Sequence, residues 1–193
     1  AKAVVEDQVS GLPAADQMAG EKPDLDLYDS TRLNTEQQIE LAKRVEAAAM
    51  SMDERVTNSE GGDFDSSSVR VVLGNSHGFL GEYPSSSFAM SVSPVATDPE
   101  TGAMQRDSWY SVQRKFSKLD SPEEVGLEAA RRTVRKLGAK KVATQRVPVI
   151  FDSETAGSLM GNLCSAVSGY SLYKGASFLA GQLEKPLAPE YVT

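Results

Sequence analysis

Cysteine and histidine are the scarcest reactive residues of this 193-residue chain, which has one of each. A single cysteine, Cys164, cannot form an internal disulfide, so nothing ties the chain to an oxidising compartment. One histidine and one cysteine are also too few ligands for a structural zinc site. No apolar run approaches the roughly 18 residues that a membrane-spanning helix requires. We therefore predict a cytoplasmic chain with no membrane partner.

Acidic residues exceed basic ones, with 27 Asp+Glu against 20 Lys+Arg and a formal net charge of −7. This balance argues against a dedicated nucleic-acid-binding protein. The charge is uneven, because the segment from Arg114 to Arg146 contains ten Lys and Arg but four Asp and Glu. Such a segment either contacts phosphates or complements the dipole of its own helix, and we favour the second interpretation.

Apolar residues recur at helical spacing in three places of what we predict to be an α+β protein. The three main helices are predicted at about 35–50, 121–137 and 153–168. The first begins at Asn34 or Thr35, either of which is a suitable N-cap, and a capping box is expected from Thr35 to Gln38. The second begins at Ser121, with Glu124 completing its capping box.

One side of the third predicted helix carries small residues at four-residue spacing, namely Gly157, Gly161 and Ser165. Small residues let another backbone approach closely, so we predict that this helix is sandwiched between other elements. Cys164 lies beside the apolar stripe and is interpreted as a small buried hydrophobe. A cysteine nucleophile would need a histidine base, and His77 is the only histidine.

Alternation of apolar and polar residues predicts antiparallel strands joined by Gly, Ser and Pro turns. These strands are expected at about 66–74, 87–96 and 104–116, with a turn at 98–102. A further short, apolar strand is predicted at Arg146–Phe151, where Pro148 suggests an edge or a strand start.

The segment from Gly74 to Gly78 fits the G-x-S-x-G pattern of serine hydrolases. A nucleophile elbow needs a following helix and a separate downstream histidine, whereas His77 adjoins Ser76 directly. We interpret the segment as a β-hairpin turn. Carboxylate pairs such as Asp63 and Asp65 lie in turn-like sequence and lack the further ligands of a calcium loop.

Five blocks of sequence follow one another in a recognisable order. They are Asp26–Asp29, Arg55–Gly61, Asn75–Phe79, Val125–Lys141 and Arg146–Phe178. Together they resemble the TldD/PmbA family, and most closely its PmbA (TldE) branch, once called modulators of DNA gyrase. The similarity covers about 24–183, which is most of the chain.

The resemblance implies that the chain is a central fragment of a larger, two-domain fold. Residues 1–34 would be a connector, and 35–145 the end of an N-terminal α/β domain with β-hairpins and a helix. Residues 146–193 would be the start of a truncated C-terminal domain. The family pairs a TldD-type metallopeptidase, with His-Glu-x-x-x-His on a helix, with a PmbA-type subunit that lacks this motif. Together the two subunits cleave small or unfolded peptides.

Aligned on Gly169 and Lys174, the resemblance puts the positions of the zinc motif at Met160, Gly161 and Ser165. None of these residues binds zinc as imidazole does or acts as a general base. The resemblance therefore implies no catalytic residue and no metal in this chain, which is expected to be inactive alone. Zinc is expected instead in a TldD-type partner.

The implied function is that of a non-catalytic subunit in a TldD/TldE-type heterodimeric metallopeptidase, with a self-dimer as the other possible assembly. Peptide or partner contact is expected at Tyr173, Lys174, Ser177 and Phe178. The alternative is a regulatory protein that modulates DNA gyrase without proteolysis, which the basic segment and the older family name suggest.

Overall fold

The computed structural model describes residues 11–187, which fall into two compact units divided after Lys140. The first contains helix α1 (Thr35–Ser51), strands β1 (Val56–Gly74), β2 (Leu80–Thr97), β3 (Met104–Arg106) and β4 (Trp109–Gln113), and helix α2 (Pro122–Arg135). The second contains helices α3 (Ser153–Val167) and α4 (Gly169–Tyr173). The predicted α+β class and its three main helices are confirmed, and α4 is a short addition. Residues 1–10 of the predicted connector lie outside the described residues.

The strands of the first unit form one antiparallel sheet. Strands β1 and β2 make a long hairpin in which Phe64 lies opposite Met90 and Val71 lies opposite Tyr83. On its other side, β2 pairs with β3 and with β4. Among the described residues β1 pairs with β2 alone, so β1 is an edge strand.

Strand β1 begins ten residues earlier than the predicted strand at 66–74. Its first half contains two consecutive glycines and two aspartates, a composition typical of turns. The register shifts between Ser59 and Gly62, and pairing with β2 continues beyond this irregularity. Gly62 lies where α1 crosses the strand, and a Cβ there would be 2.4 Å from the carbonyl oxygen of Ala42. The glycine is therefore a packing requirement rather than a turn signal.

The hydrophobic core of the first unit lies between helices α1 and α2 and one face of the sheet. Its buried residues are Val45, Ala49, Val56, Met90, Val92, Val125, Ala129 and Ala130. Most of these side chains are small, which allows the backbones to approach closely. Helices α1 and α2 approach each other closely at Gly126, where a Cβ would be 2.6 Å from the carbonyl oxygen of Val45.

Side-chain caps begin helices α1 and α2. Asn34 Oδ1 accepts a hydrogen bond from the backbone N–H of Gln37 at 2.8 Å, and Gln37 Oε1 accepts one from the Asn34 N–H at 2.9 Å. Of the two predicted caps Asn34 is therefore correct, and the box closes on Gln37 rather than Gln38. The predicted cap of α2 is confirmed, since Ser121 and Glu124 exchange the expected hydrogen bonds.

The predicted strand at Arg146–Phe151 is wrong, because this segment has no regular structure. Its side chains are exposed, Val149 by 66% and Ile150 by 98%. A strand is stable only when its backbone groups pair with a neighbour, and the described part of the second unit contains no other strand.

Helix α3 is not sandwiched within the described residues, contrary to the prediction. Ala166 is its one buried residue, and a Cβ built at Gly157 or Gly161 would meet nothing within 4 Å. The helix ends against the short helix α4, so little of its length is covered. No helix within residues 11–187 has the length and apolar character needed to cross a bilayer.

Replacing Gly126 with alanine should destabilise the first unit by about 1–3 kcal/mol, because the new methyl group would meet backbone atoms of α1. Urea denaturation followed by fluorescence would measure this, since the single tryptophan, Trp109, packs against the core. The same change at Gly161 places its methyl in open space and should leave that midpoint unchanged. Equal midpoints for Gly126→Ala and the unmodified protein would contradict the proposed close packing.

Candidate functional site

The middle of α3 carries Met160, Gly161 and Ser165, the three residues that the resemblance aligns with the zinc motif. The thioether side chain of Met160 is 52% exposed. Gly161 has no side chain, and the Ser165 hydroxyl donates a hydrogen bond to the Gly161 carbonyl oxygen at 2.9 Å. These residues present neither an imidazole nor a carboxylate to a metal ion.

The rest of the described chain does not supply the ligands that Met160, Gly161 and Ser165 lack. Within residues 11–187 no group of three or more His, Cys, Asp or Glu side chains is placed to hold a metal ion. The residues present therefore do not fit the zinc ion of the metallopeptidases.

A lysine and two tyrosines form a surface cluster at the end of α4. Lys174 Nζ lies 5.2 Å from the ring centroid of Tyr173 and 5.6 Å from that of Tyr170. An ammonium group beside exposed aromatic rings can bind peptides through cation–π contacts, stacking and hydrogen bonds. Sequence reasoning selected Tyr173 and Lys174 but missed Tyr170, whose four-residue spacing from Lys174 on a helix was the available signal.

The other two predicted contact residues lie in the segment after α4. Ser177 Oγ donates a hydrogen bond to the Ala166 carbonyl oxygen at 2.6 Å and accepts one from the Leu179 N–H at 3.1 Å. Ser177 thus fastens this segment to α3. The side chain of Phe178 is 78% exposed. The structure brings Tyr173 and Lys174 together, whereas the hydroxyl of Ser177 is used in hydrogen bonds within the second unit.

The G-x-S-x-G segment forms the turn between β1 and β2, as predicted. Asn75 Oδ1 accepts hydrogen bonds from the backbone N–H groups of His77 at 3.0 Å and Phe79 at 3.2 Å. His77 Nδ1 lies 2.9 Å from the Pro13 carbonyl oxygen, which occupies that ring nitrogen. A strand rather than a helix follows Ser76, so the geometry of a nucleophile elbow is absent from this turn.

Two further sequence interpretations need correction. Cys164 is exposed rather than buried, because only Ala166 of α3 is covered within the described residues. Asp63 and Asp65 belong to strand β1 and not to a turn. They lie two residues apart, so both carboxylates are on the same face of the edge strand.

Several cations of the basic segment form ion pairs within the protein. Lys115 forms an ion pair with Asp26. On α2, Arg131 Nη2 lies 2.7 Å from Glu128 Oε1, and this guanidinium holds the pKa of Glu128 below its usual value. Lys136 Nζ lies 3.0 Å from Asp107 Oδ2. These pairs use the cations within the protein, and the helix-dipole interpretation stays a prediction.

A cavity of about 650 Å³ lies between the extended segment 19–28 and the distal half of the β1–β2 hairpin. We call it the distal groove. Its apolar lining consists of Ala19, Pro23, Leu25, Leu27, Tyr28, Val71, Leu73, Phe79, Tyr83 and Pro84. Sequence analysis treated 19–28 as part of a connector and missed this wall. The available signal was the alternation of acidic and apolar residues from Asp24 to Asp29.

Hydrogen bonds to β2 hold the groove wall in place. Ser86 N–H donates to the Leu27 carbonyl oxygen at 3.0 Å, and Ser86 Oγ accepts from the Asp29 N–H at 2.9 Å. The carboxylate of Asp29 accepts from the N–H groups of Thr31 at 2.8 Å and Phe116 at 2.9 Å. Hydrogen bonds from Thr31, by side chain and backbone, and from the Phe116 N–H lower the pKa of Asp29.

Two family models match the chain. Residues 28–137 match the PmbA/TldA metallopeptidase central domain, and residues 144–193 match the PmbA/TldA metallopeptidase C-terminal domain. Among curated proteins, Metalloprotease PmbA of Escherichia coli O157:H7 is 40% identical over 187 residues, which are 97% of this chain and 41% of that protein. The Metalloprotease PmbA homolog of Haemophilus influenzae is 38% identical over 191 residues, which are 99% of this chain and 42% of that protein. The chain thus spans about two fifths of the length of these relatives.

Two solved structures have the same fold. A Bacteroides thetaiotaomicron protein described as a candidate modulator of DNA gyrase has a TM-score of 0.84 at 29% identity, over 97% of this chain and 43% of that one. A Thermotoga maritima protein with the same description has a TM-score of 0.77, over 86% of this chain and 38% of that one. Its identity is 22%, so this second likeness concerns the fold alone.

Replacing Asp29 with asparagine should flatten the dependence of stability on acid pH. A carboxyl group whose pKa is lowered by folding stabilises the protein above its unfolded pKa of about 3.9. This contribution is lost as the pH falls through the folded pKa, and the asparagine variant lacks it at every pH. Urea midpoints followed by Trp109 fluorescence from pH 7 to pH 2.5 would measure the difference. Asp63→Asn, at an exposed strand position, is the control, and a profile for Asp29→Asn parallel to that of the unmodified protein would contradict the prediction.

Proposed function

This chain belongs to the PmbA/TldD metallopeptidase family, and on that premise we propose that it is part of a non-catalytic subunit in a two-subunit metallopeptidase that cleaves small or unfolded peptides. The observation that carries the proposal is the chemistry of Met160, Gly161 and Ser165. Metal-assisted peptide hydrolysis needs ligands that hold an open metal site and a group that accepts a proton from water. A thioether, a glycine and a hydroxyl bound to its own helix supply neither.

The partner in this proposal is a TldD-type chain that has His-Glu-x-x-x-His and holds the zinc ion. A self-dimer is the alternative assembly, and it would leave every subunit without that motif. Either assembly would act in the cytoplasm. The chain described here would contribute surface rather than chemistry to the complex.

The surface best suited to peptide or partner contact is the end of α4 and the segment after it. Tyr173 and Lys174 lie together there, and Tyr170 extends the cluster. The exposed ring of Phe178 adds apolar area. Aromatic and cationic side chains of this kind recur where proteins bind peptides, because each offers a large contact area with a polar group.

Regulation of DNA gyrase without proteolysis is the second candidate function. It is favoured by the description of the Bacteroides thetaiotaomicron structure and by the basic segment. Intramolecular ion pairs already occupy Lys115, Arg131 and Lys136 of that segment. This use of the cations weakens the case for a dedicated phosphate-binding surface, and we rank the metallopeptidase subunit first.

The full-length protein and a His-Glu-x-x-x-His homologue from the same genome should cleave an unfolded peptide when mixed, because one contributes the metal site and the other completes the substrate-binding surface. Each protein alone should be inactive, and the full-length protein alone should bind no stoichiometric zinc. Mass spectrometry of the cleaved peptide and elemental analysis of each protein would measure these outcomes.

A homologue whose motif glutamate is replaced by glutamine is the matched control for the mixture and should abolish cleavage. Peptidase activity of this protein alone, with one tightly held zinc ion per chain, would refute the non-catalytic assignment. A salt-sensitive effect on gyrase supercoiling that needs no homologue, together with no cleavage by the mixture, would favour the second candidate.

A further inference from the structure

We propose that the distal groove is a docking site for an extended peptide in which apolar residues are flanked by Lys or Arg. The groove belongs to the first unit, whereas the α4 cluster belongs to the second. The proposal goes beyond the proposed function and does not depend on a partner subunit, because only binding is claimed for the groove.

The apolar side chains of the groove are unusually exposed. Leu25 is 63% exposed, Leu73 62% and Tyr83 47%. Covering such surface is favourable by about 25 cal/mol per Å², so their convergence on one cavity favours an apolar occupant. The volume of about 650 Å³ is within the range of established ligand sites.

The floor of the groove is one face of the β1–β2 hairpin. Val71 and Leu73 of β1 lie opposite Tyr83 and Gly81 of β2, and all four residues line the groove. Residues two apart on a strand share one face, so the floor repeats at the spacing of an extended chain. An extended peptide therefore matches this floor better than a helix does.

The charge of the groove determines which residues should flank the apolar residues of the peptide. Four carboxylates and one ammonium group line the groove, from Glu21, Asp24, Asp26, Glu82 and Lys22. Two of the carboxylates have partners, since Asp26 pairs with Lys115 and Glu82 lies 3.3 Å from Arg70. The remaining two carboxylates, of Glu21 and Asp24, determine the sign of the charge in the groove.

Glu21 and Asp24 form no ion pair within the described residues. Lys22 offsets one of these two charges, because its ammonium group stays beside the groove, where it donates to the Leu80 carbonyl oxygen and lies 5.7 Å from the ring centroid of Phe79. The uncompensated charge of the groove is therefore negative. Complementary charge across an interface sets specificity and speeds association, so Lys or Arg beside the apolar residues completes the match.

Fluorescence anisotropy with three labelled peptides tests the proposal on the full chain. The peptide Lys-Leu-Phe-Leu-Lys should bind, and its affinity should fall with added salt. The charge-reversed Glu-Leu-Phe-Leu-Glu and the polar Lys-Ser-Gly-Ser-Lys should each bind at least about tenfold more weakly. The first lacks the positive charges that pair with the carboxylates, and the second lacks the apolar side chains that cover the groove.

The double variant Glu21→Gln/Asp24→Asn should weaken binding of the first peptide roughly fivefold, as expected for two exposed charge pairs. The matched control Asp63→Asn/Asp65→Asn removes the same charge from β1 outside the groove and should leave binding unchanged. Leu73→Ser should also weaken binding, because it removes part of the apolar wall. Far-ultraviolet circular dichroism would verify that the variants are folded.

Equal binding of the charge-reversed peptide would overturn the proposal. So would an affinity that Glu21→Gln/Asp24→Asn and Leu73→Ser leave unchanged, or an absence of binding by Lys-Leu-Phe-Leu-Lys. The failure of the proposed function is a separate result, because it is measured as cleavage by the mixed subunits and not as binding by this chain.

Discussion

The close approach of α1 to its neighbours is the constraint on which the rest of the first unit depends. Helix α1 lies against β1 at Gly62 and against α2 at Gly126, and a side chain at either position would meet backbone. Because the core consists mainly of Val, Ala and Met, short distances between backbones supply much of its packing. These contacts cover one face of the sheet, and they leave the distal hairpin free to form a groove with segment 19–28.

Features that depend on a few neighbouring residues could be predicted from the sequence. The Ser121–Glu124 capping box and the Asn75 turn are local hydrogen-bond patterns, and both were predicted correctly. The three main helices follow from apolar periodicity in the same way. The choice between Asn34 and Thr35 needed the structure, because two adjacent residues with capping side chains give the same sequence signal.

Features that depend on distant residues could not be predicted in this way. The first half of β1 has turn-like composition, but its pairing with β2 and the passage of α1 over Gly62 make it a strand. The segment Val147–Phe151 has strand-like composition and no strand to pair with among the described residues. Exposure of Cys164 and formation of the distal groove likewise depend on which elements meet. The positions of the zinc motif came from family resemblance, since no local pattern marks an absent ligand.

The second unit differs from the first in how little of its apolar surface is covered. Ile150 is 98% exposed, Leu183 88% and Phe178 78%. Isolated apolar residues are common on protein surfaces, but many within a unit of this size are typical of a surface that contacts another part of a protein or a partner. This pattern agrees with the proposed role of a subunit that supplies surface while another chain supplies the metal. Excluding water from a peptide bond and orienting it need shape and apolar contact, and neither requires a metal ligand on this chain.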